Sequence, residues 1–165
     1  MPADHDEQTK QALITALRLL AASPKSCREL KKKLESKGYS DQAVKNALQE
    51  LSMQGVLDDK AYAKDLADRL IHGKGSGRFR IDFELKHHGV PESVRKDLLS
   101  SLTESDEKER ALELAKLKWP QFAKLDSKKR KKKLFDHLLR KGYDFQTVRD
   151  VLDEITKGNA DGEFD

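Results

Sequence analysis

The stretch from Leu57 to Val90, LDDKAYAKDLADRLIHGKGSGRFRIDFELKHHGV, contains two helical patterns joined by a glycine-rich elbow, Gly73-Lys74-Gly75-Ser76-Gly77. Asp58-Asp59 opens the first pattern. Aspartate is a good N-cap, and its charge suits the positive end of the helix dipole. A metal or acid–base role would need converging partners, and none is visible, so the pair reads as a cap. Tyr62, Ala63, Leu66 and Leu70 then form a buried stripe, with Tyr62 in the core rather than on a base-stacking platform. The elbow is not a phosphate loop of the nucleotide-binding class. That loop needs GxxxxGK[ST] between a strand and a helix, whereas Lys74 is followed by glycine and flanked by helices. An approach of its backbone amides and Lys74 to a DNA phosphate stays open. In the second pattern Ile81 and Leu85 form the buried face, and Gly89-Val90 ends it.

The flanking segments repeat the second half of this design. Leu30 and Leu34 precede Gly38-Tyr39 as Ile81 and Leu85 precede Gly89-Val90, and as Leu134 and Leu138 precede Gly142-Tyr143. In each case the apolar residues lie eight and four positions before the glycine. Another amphipathic stripe follows: Val44, Leu48 and Leu51; Val94, Leu98 and Leu102; Val148, Leu152 and Ile155. The glycines recur at intervals of 51 and 53 residues. A further helix precedes each unit, at about Thr9–Ala22 (with Leu13, Ala16, Leu17 and Leu20 inward), Asp59–His72 and Asp106–Phe122. Ser26 with Glu29 has capping-box spacing, Asp41 is placed to cap the third helix, and Pro91 suits the first position of the sixth. Nothing alternates as a strand does. A fixed period of this length means tandem modules stacked side by side. The chain is therefore expected to be all-α: three tandem three-helix repeats forming an elongated, curved body. The expected divisions are a disordered tail over 1–8, repeats over 9–57, 58–103 and 104–157, and an acidic C-terminal tail over 158–165.

Composition agrees with small stacked units. Charged residues make up 38% of the chain and hydrophobic ones 36%, and only 39 of 165 residues are Leu, Ile, Val or Phe. Cores built from so few apolar residues are thin, which suits repeats that bury their faces on one another. The net charge of +4 is unevenly distributed. Residues 1–10 carry −2 and residues 158–165 carry −3, leaving +9 between them. A basic body of this kind is compatible with a nucleic-acid partner. One cysteine, Cys27, excludes an internal disulfide framework and reads as a small buried hydrophobe. With no signal peptide and no apolar run of membrane length, a cytoplasmic protein without a membrane partner is expected.

The positive charge gathers on the second helix of each repeat. These helices carry Arg28, Lys31, Lys32 and Lys33; Arg78, Arg80 and Lys86; and Lys128-Lys129-Arg130-Lys131-Lys132-Lys133. Six consecutive like charges repel one another, a cost that an acidic partner relieves. These helices are expected to present basic faces in equivalent places that meet DNA or an acidic protein surface. Contacts to phosphates would be salt-dependent and weakly sequence-specific. The histidines lack ligand spacing, so no metal or other cofactor is expected. Trp119-Pro120 marks packing between repeats. No Ser/His/Asp, Cys/His or paired-carboxylate arrangement is visible, and no catalytic residue is assigned.

Leu57-Asp58-Asp59, Tyr62-Ala63, Lys74-Gly75-Ser76-Gly77, Arg80-Ile81, Glu84-Leu85 and Gly89-Val90 together resemble the RecX family of recombination regulators. Leu138-Leu139-Arg140-Lys141-Gly142-Tyr143 is similar to that family's third repeat. Departures include Ser76 at a frequent aromatic position, Arg78 at a proline position, Leu66 at a usual aromatic position, and Gly73 as an extra elbow residue. The resemblance implies a non-enzymatic protein that binds the RecA–DNA filament groove, and a monomer is expected. It further implies inhibition of filament growth, ATP hydrolysis and strand exchange. Expected partner- and DNA-binding residues are Lys31, Lys32, Lys74, Arg78, Arg80, Lys86, Arg130, Lys131 and Lys132, with RecA and the phosphates of single- and double-stranded DNA as partners. The alternative is a stand-alone helical DNA-binding protein without a recombinase.

Overall fold

Short polar side chains start most of the helices, because the first N–H groups of a helix have no partner within it. In the computed structural model, which describes the backbone of residues 2–160 and the side chains of residues 6–158, Ser26 begins α2 (Cys27–Ser36) with a complete capping box. Its Oγ accepts from Glu29 N at 3.2 Å, and its own N donates to Glu29 Oε2 at 3.1 Å. Ser40, not Asp41, caps α3 (Asp41–Met53); Asp41 is the first helical residue, where its charge meets the dipole. Asp58 caps α4 (Asp59–Lys74), accepting from Lys60 N at 2.8 Å. Pro91 stands one residue ahead of α6 (Glu92–Ser101), and its carbonyl accepts from Arg95 N. Thr103 and Asp126 cap α7 (Glu104–Lys118) and α8 (Ser127–Arg140).

With α1 (Pro2–Ala22), α5 (Arg78–His87) and α9 (Phe145–Ala160), these make nine α-helices in three sets of three, and no strand occurs among the described residues. Three boundaries differ from the sequence expectation by more than two residues. Helix α1 starts at Pro2, so residues 2–8 belong to it rather than to a tail. Proline is tolerated in a first turn, and Gln11 Nε2 donates to Glu7 Oε1 one turn away at 3.2 Å. Helix α7 stops at Lys118 and continues as a 3-10 turn, Trp119–Phe122. Pro120 has no N–H and disfavours the α conformation before it. Helix α9 reaches Ala160, inside the expected acidic tail; residues 161–165 lie outside the described residues.

The chain divides into two compact units, Met1–Leu66 with Leu85–Lys96, and Ala67–Glu84 with Asp97–Asp165. The core of the first gathers Ala16, Leu30, Leu34, Val44, Leu51 and Leu57. Beside it Ala12, Ala43 and Ala47 let α1 and α3 approach closely. Leu17, expected inside, is 43% exposed; the inward face of α1 turns on Ala12 and Ala16. The core of the second unit gathers Ala111, Ala115, Trp119, Leu134, Leu138, Tyr143, Val148, Val151 and Ile155. Trp119 thus packs inside the third repeat rather than between repeats. Each fully buried Leu or Ile contributes roughly 1.5–3 kcal/mol. Helix α6 has no buried residue, so its Val94 and Leu98 are only half covered.

Candidate functional site

Each unit contains one end repeat and the part of the middle repeat that docks on it, and the two dockings share a plan. In the first unit the start of α2 meets the turn between α5 and α6. Ser26 Oγ donates to His88 O at 2.5 Å, and Cys27 N donates to Asp59 Oδ1 at 2.8 Å. Asp59 therefore serves the neighbouring repeat's helix rather than capping its own. The stem of Arg28 lies against Gly89, where a Cβ would run into it. In the second unit the start of α5 meets the turn between α8 and α9. Gly77 N donates to Lys141 O at 2.8 Å, and Arg78 N donates to Glu107 Oε1 at 2.7 Å. Phe79 N donates to Gly142 O at 3.0 Å, and a Cβ on Gly142 would run into the Arg80 backbone. Counted back from the turn glycines, Ser26 and Gly77 hold one position and Cys27 and Arg78 the next. Asp59 and Glu107 play the same part in both.

The elbow's amides are consumed by this arrangement. Gly75 N donates to Ile71 O, Ser76 N to Leu70 O, and Gly77 N to Lys141 O. A phosphate-binding nest of elbow amides is therefore ruled out, and Ser76 is buried. Tyr143 Oη donates to Gly75 O at 3.0 Å, and burial pushes its phenol up to about 12. In the first unit His88 Nδ1 lies 2.7 Å from Glu29 Oε1, and Tyr62 Oη donates to Glu29 Oε2 at 3.4 Å. Burial alone would raise the Glu29 carboxyl. Its bonds to His88, to Ser26 N and to Tyr62 outweigh that and hold it below the usual carboxylate range. Burial pushes Asp59 up; the bond from Cys27 N opposes, and the charges of Asp58 and Glu29 add to the rise. The Cys27 thiol is raised by burial and by Asp59, which leaves it protonated and poorly nucleophilic.

The expected binding residues sort into two groups. Arg78 and Arg130 are built into the fold. Arg78 Nη2 donates to Leu102 O at 2.6 Å, and its Nε lies 3.3 Å from Oε2 of the buried Glu107, an ion pair rather than an aligned hydrogen bond. Arg130 stacks 3.8 Å over the Trp119 ring and donates through Nε and Nη2 to Trp119 O. That stacking also removes Trp119 as a platform for bases. The other seven are exposed. Lys31 sits 3.7 Å from Glu35, and Lys32 lines a cleft of about 540 Å³ with Glu29, Tyr62 and His88. Arg80 pairs with Glu84 at 2.5 Å beside the exposed Phe83. Lys74, Lys86, Lys131 and Lys132 extend from the surface.

The helices that bear these residues are equivalent, but the charged positions are not. Lys31 and Lys32 lie seven and six residues before Gly38; the same places are Asp82 and Phe83 in α5, and Phe135 and Asp136 in α8. The expectation of matching basic faces holds for the elements and fails for the side chains. Residues not singled out from sequence also belong to the surface: Phe79, 62% exposed, and the cations Arg110 and Lys141, which line a second cleft with Lys74. Only alignment of the three repeats on their turn glycines and first helices brings them together. No group of three His, Cys, Asp or Glu able to hold a metal ion occurs among the described residues, and no helix there is long and apolar enough to cross a membrane.

Comparison with known proteins covers all three repeats. Residues 12–51 match the family described as RecX, first three-helix domain, residues 58–99 the second, and residues 105–152 the third. The chain is 34% identical over 150 residues to the Regulatory protein RecX of Prosthecochloris aestuarii, covering 91% of this chain and 97% of that one. It is 34% identical over 145 residues to the Regulatory protein RecX of Clostridium perfringens strain 13, covering 86% and 67%. The crystal structure of RecX from Lactobacillus salivarius superposes with a TM-score of 0.84 at 18% identity, covering 92% of this chain and 98% of that one. A second crystal structure of a regulatory protein RecX gives 0.79 at 24% identity, covering 91% and 74%.

Proposed function

The chain belongs to the RecX family, and from that premise we propose that it regulates the RecA recombinase by binding the RecA–DNA filament, with inhibition as its main effect. Family membership over all three repeats carries this reading. The seven exposed cations, Lys31, Lys32, Lys74, Arg80, Lys86, Lys131 and Lys132, support it, since a filament offers both acidic protein surface and phosphates. Arg78 and Arg130 also hold the second helices of their repeats in place. The protein works by occupying a surface, in the cytoplasm, as a monomer and without catalysing a reaction.

Strand exchange and single-stranded-DNA-dependent ATP hydrolysis by the cognate RecA test this, with and without the protein at amounts stoichiometric with the filament. Slowing of both is the expected result. Unchanged rates would overturn the proposal, and sequence-selective binding to bare duplex in the same preparation would favour a stand-alone DNA-binding protein.

A further inference from the structure

The two dockings act as controls for one another, and one of them holds cations where the other has uncharged hydroxyl and ring side chains. A cleft of about 620 Å³ opens beside the second docking, and Lys74, Arg110 and Lys141 line it. The register of the turn glycines places Lys74 opposite Ser23 of the first unit, and Lys141 opposite His88. The shared role of Asp59 and Glu107 places Arg110 opposite Tyr62, three residues further on in each helix. Ser23, Tyr62 and His88 line the cleft of the first unit. Three positions that are a hydroxyl, a phenol and an imidazole in one docking are thus a lysine, an arginine and a lysine in the other. The first docking forms its bonds without them.

The first cleft bonds Lys25 and its ring side chains internally, and leaves Lys32 and Lys33 unbonded. His88 and Tyr62 both meet Glu29, and Lys25 Nζ is bound to Leu19 O, Ser23 O and Ser23 Oγ. Lys32 and Lys33 share that wall with Glu29. Each cleft has one acid, Glu29 or Glu113, and a formal charge of +2 with its histidine counted neutral; in the second the cations stand at the docking positions themselves. Lys141 Nζ reaches Lys74 O at 2.6 Å, which draws the turn to the cleft's rim without neutralising it. Arg110 Nε and Nη2 are buried without a hydrogen-bond partner, while the guanidinium also hydrogen-bonds the Tyr143 phenol and its charge acts on it. These two nitrogens form one edge of the guanidinium, the edge that donates in parallel to two oxygens of an anion. Buried donors without a partner are rare in folded proteins and call for an explanation.

We propose that this cleft is an oxyanion site that takes a phosphodiester of single-stranded DNA. Lys74 and Lys141 contact its oxygens from the rim, and Arg110 takes two of them once its buried fork turns into the cleft. Leu114 and Leu117, the latter 71% exposed, supply an apolar wall for the attached sugar or base. A duplex holds its phosphates on a rigid convex rail with the bases turned away, whereas a single strand can present a phosphate and its base to one recess. The choice of a nucleic-acid phosphate over another oxyanion rests on the filament-binding function proposed above.

The test uses the full chain without recombinase and follows the fluorescence anisotropy of a labelled oligothymidylate at several salt concentrations. Removing both lysines (K74Q with K141Q) should weaken binding about tenfold and make the salt dependence shallower by roughly 1.4 in log–log slope, at about 0.7 per single-strand phosphate contact. R110K keeps the charge and loses the fork, and should weaken binding severalfold with the slope unchanged. The pair K128Q with K129Q removes equal charge from α8, outside the cleft, and should have under a third of the effect. The proposal falls if that control pair weakens binding as much as K74Q with K141Q, or if the cleft variants, folded by circular dichroism, bind like the parent. It also falls if they lose binding only to a poly-glutamate peptide, which would make the ligand a protein carboxylate. A parallel RecA ATPase assay separates the two readings. Regulation that survives unchanged oligothymidylate binding by the cleft variants sinks the cleft alone. Cleft-dependent oligothymidylate binding by a protein without effect on RecA sinks the regulator alone.

Discussion

The docking of α2 on the α5–α6 turn and the docking of α5 on the α8–α9 turn share a scaffold but differ in what fills it. Both place a helix start against a left-handed glycine and hand its first N–H to an acid on the next repeat. In the first, the acid is the half-buried Asp59, and the glycine faces a flexible arginine stem. In the second, the acid is the buried Glu107, and the glycine faces backbone. The common parts are what stacking requires. The differing parts set how tightly each docking tolerates change, and leave room for function in one of them.

Substitution at the turn glycines should separate the dockings most clearly. Gly142→Ala combines a positive φ of 88° with a clash against the Arg80 backbone. A destabilisation of about 3–4 kcal/mol is expected, from roughly 1–2 for the left-handed backbone and 1–3 for overpacking. Gly89→Ala meets Arg28, whose Cγ and Cδ can swing away but whose Cβ moves only with the backbone, so about 2–3 kcal/mol is expected. Gly38, with the same φ as Gly142, has nothing within 4 Å of an added Cβ and should lose only about 1 kcal/mol. Denaturant unfolding of the three variants checks the order; equal losses would mean that the close approaches do not matter.

The acids should rank likewise. Glu107→Ala leaves the Arg78 amide and guanidinium without their acceptor and should cost about 2 kcal/mol. Asp59→Ala, at a more accessible site, should cost about 1 kcal/mol. Ser26→Ala, which removes a cap and the bond to His88 O together, should also cost about 1 kcal/mol. A larger loss at Asp59 than at Glu107 would reverse the comparison.

The smallest effects concern pH, and their signs differ within the first docking. Glu29 has a lowered folded-state pKa, so its contribution is present above its ordinary value of 4.5 and is lost as pH falls through the lower folded value. Asp59 has a raised one, so its contribution is present at low pH and is lost as pH rises through that value. Glu29→Gln should therefore flatten the acid limb of stability, and Asp59→Asn should steepen it. Urea unfolding between pH 3 and 6 shows whether the two shifts are opposed. The second docking responds at the other end of the scale. Tyr143, raised to about 12, contributes stability that is complete below about 10 and is lost as pH rises through 12. Phenolate absorbance should show one late-titrating tyrosine that Tyr143→Phe removes.

Periodicity and turn glycines made nine helices and three repeats legible, because an amphipathic stripe and a left-handed stop are local properties. Local chemistry also revealed the Ser26–Glu29 box. The candidate site was less legible. Counting charges identified the helices that carry lysine and arginine but could not separate Arg78 and Arg130, held by Leu102 and Trp119, from exposed Arg80 and Lys131. Their partners lie 11 to 29 residues away. The surroundings of Phe79 and Arg110 depend on neighbours even more distant in sequence, Gly142 and Tyr143.

The elbow between α4 and α5 shows the division most plainly. Its sequence determined that the chain must bend there, since Gly75 takes a left-handed φ of 60° just past α4 and Gly77 stands just ahead of α5. Where its amides point was decided by tertiary structure: Gly77 N turns to Lys141 O, 64 residues away in sequence. The sequence by itself determined repeats, helix ends and net charge, which depend on neighbours within a few turns. Tertiary structure decided which cations are consumed in packing and which stay available, because a charge is neutralised by whatever lies beside it in space.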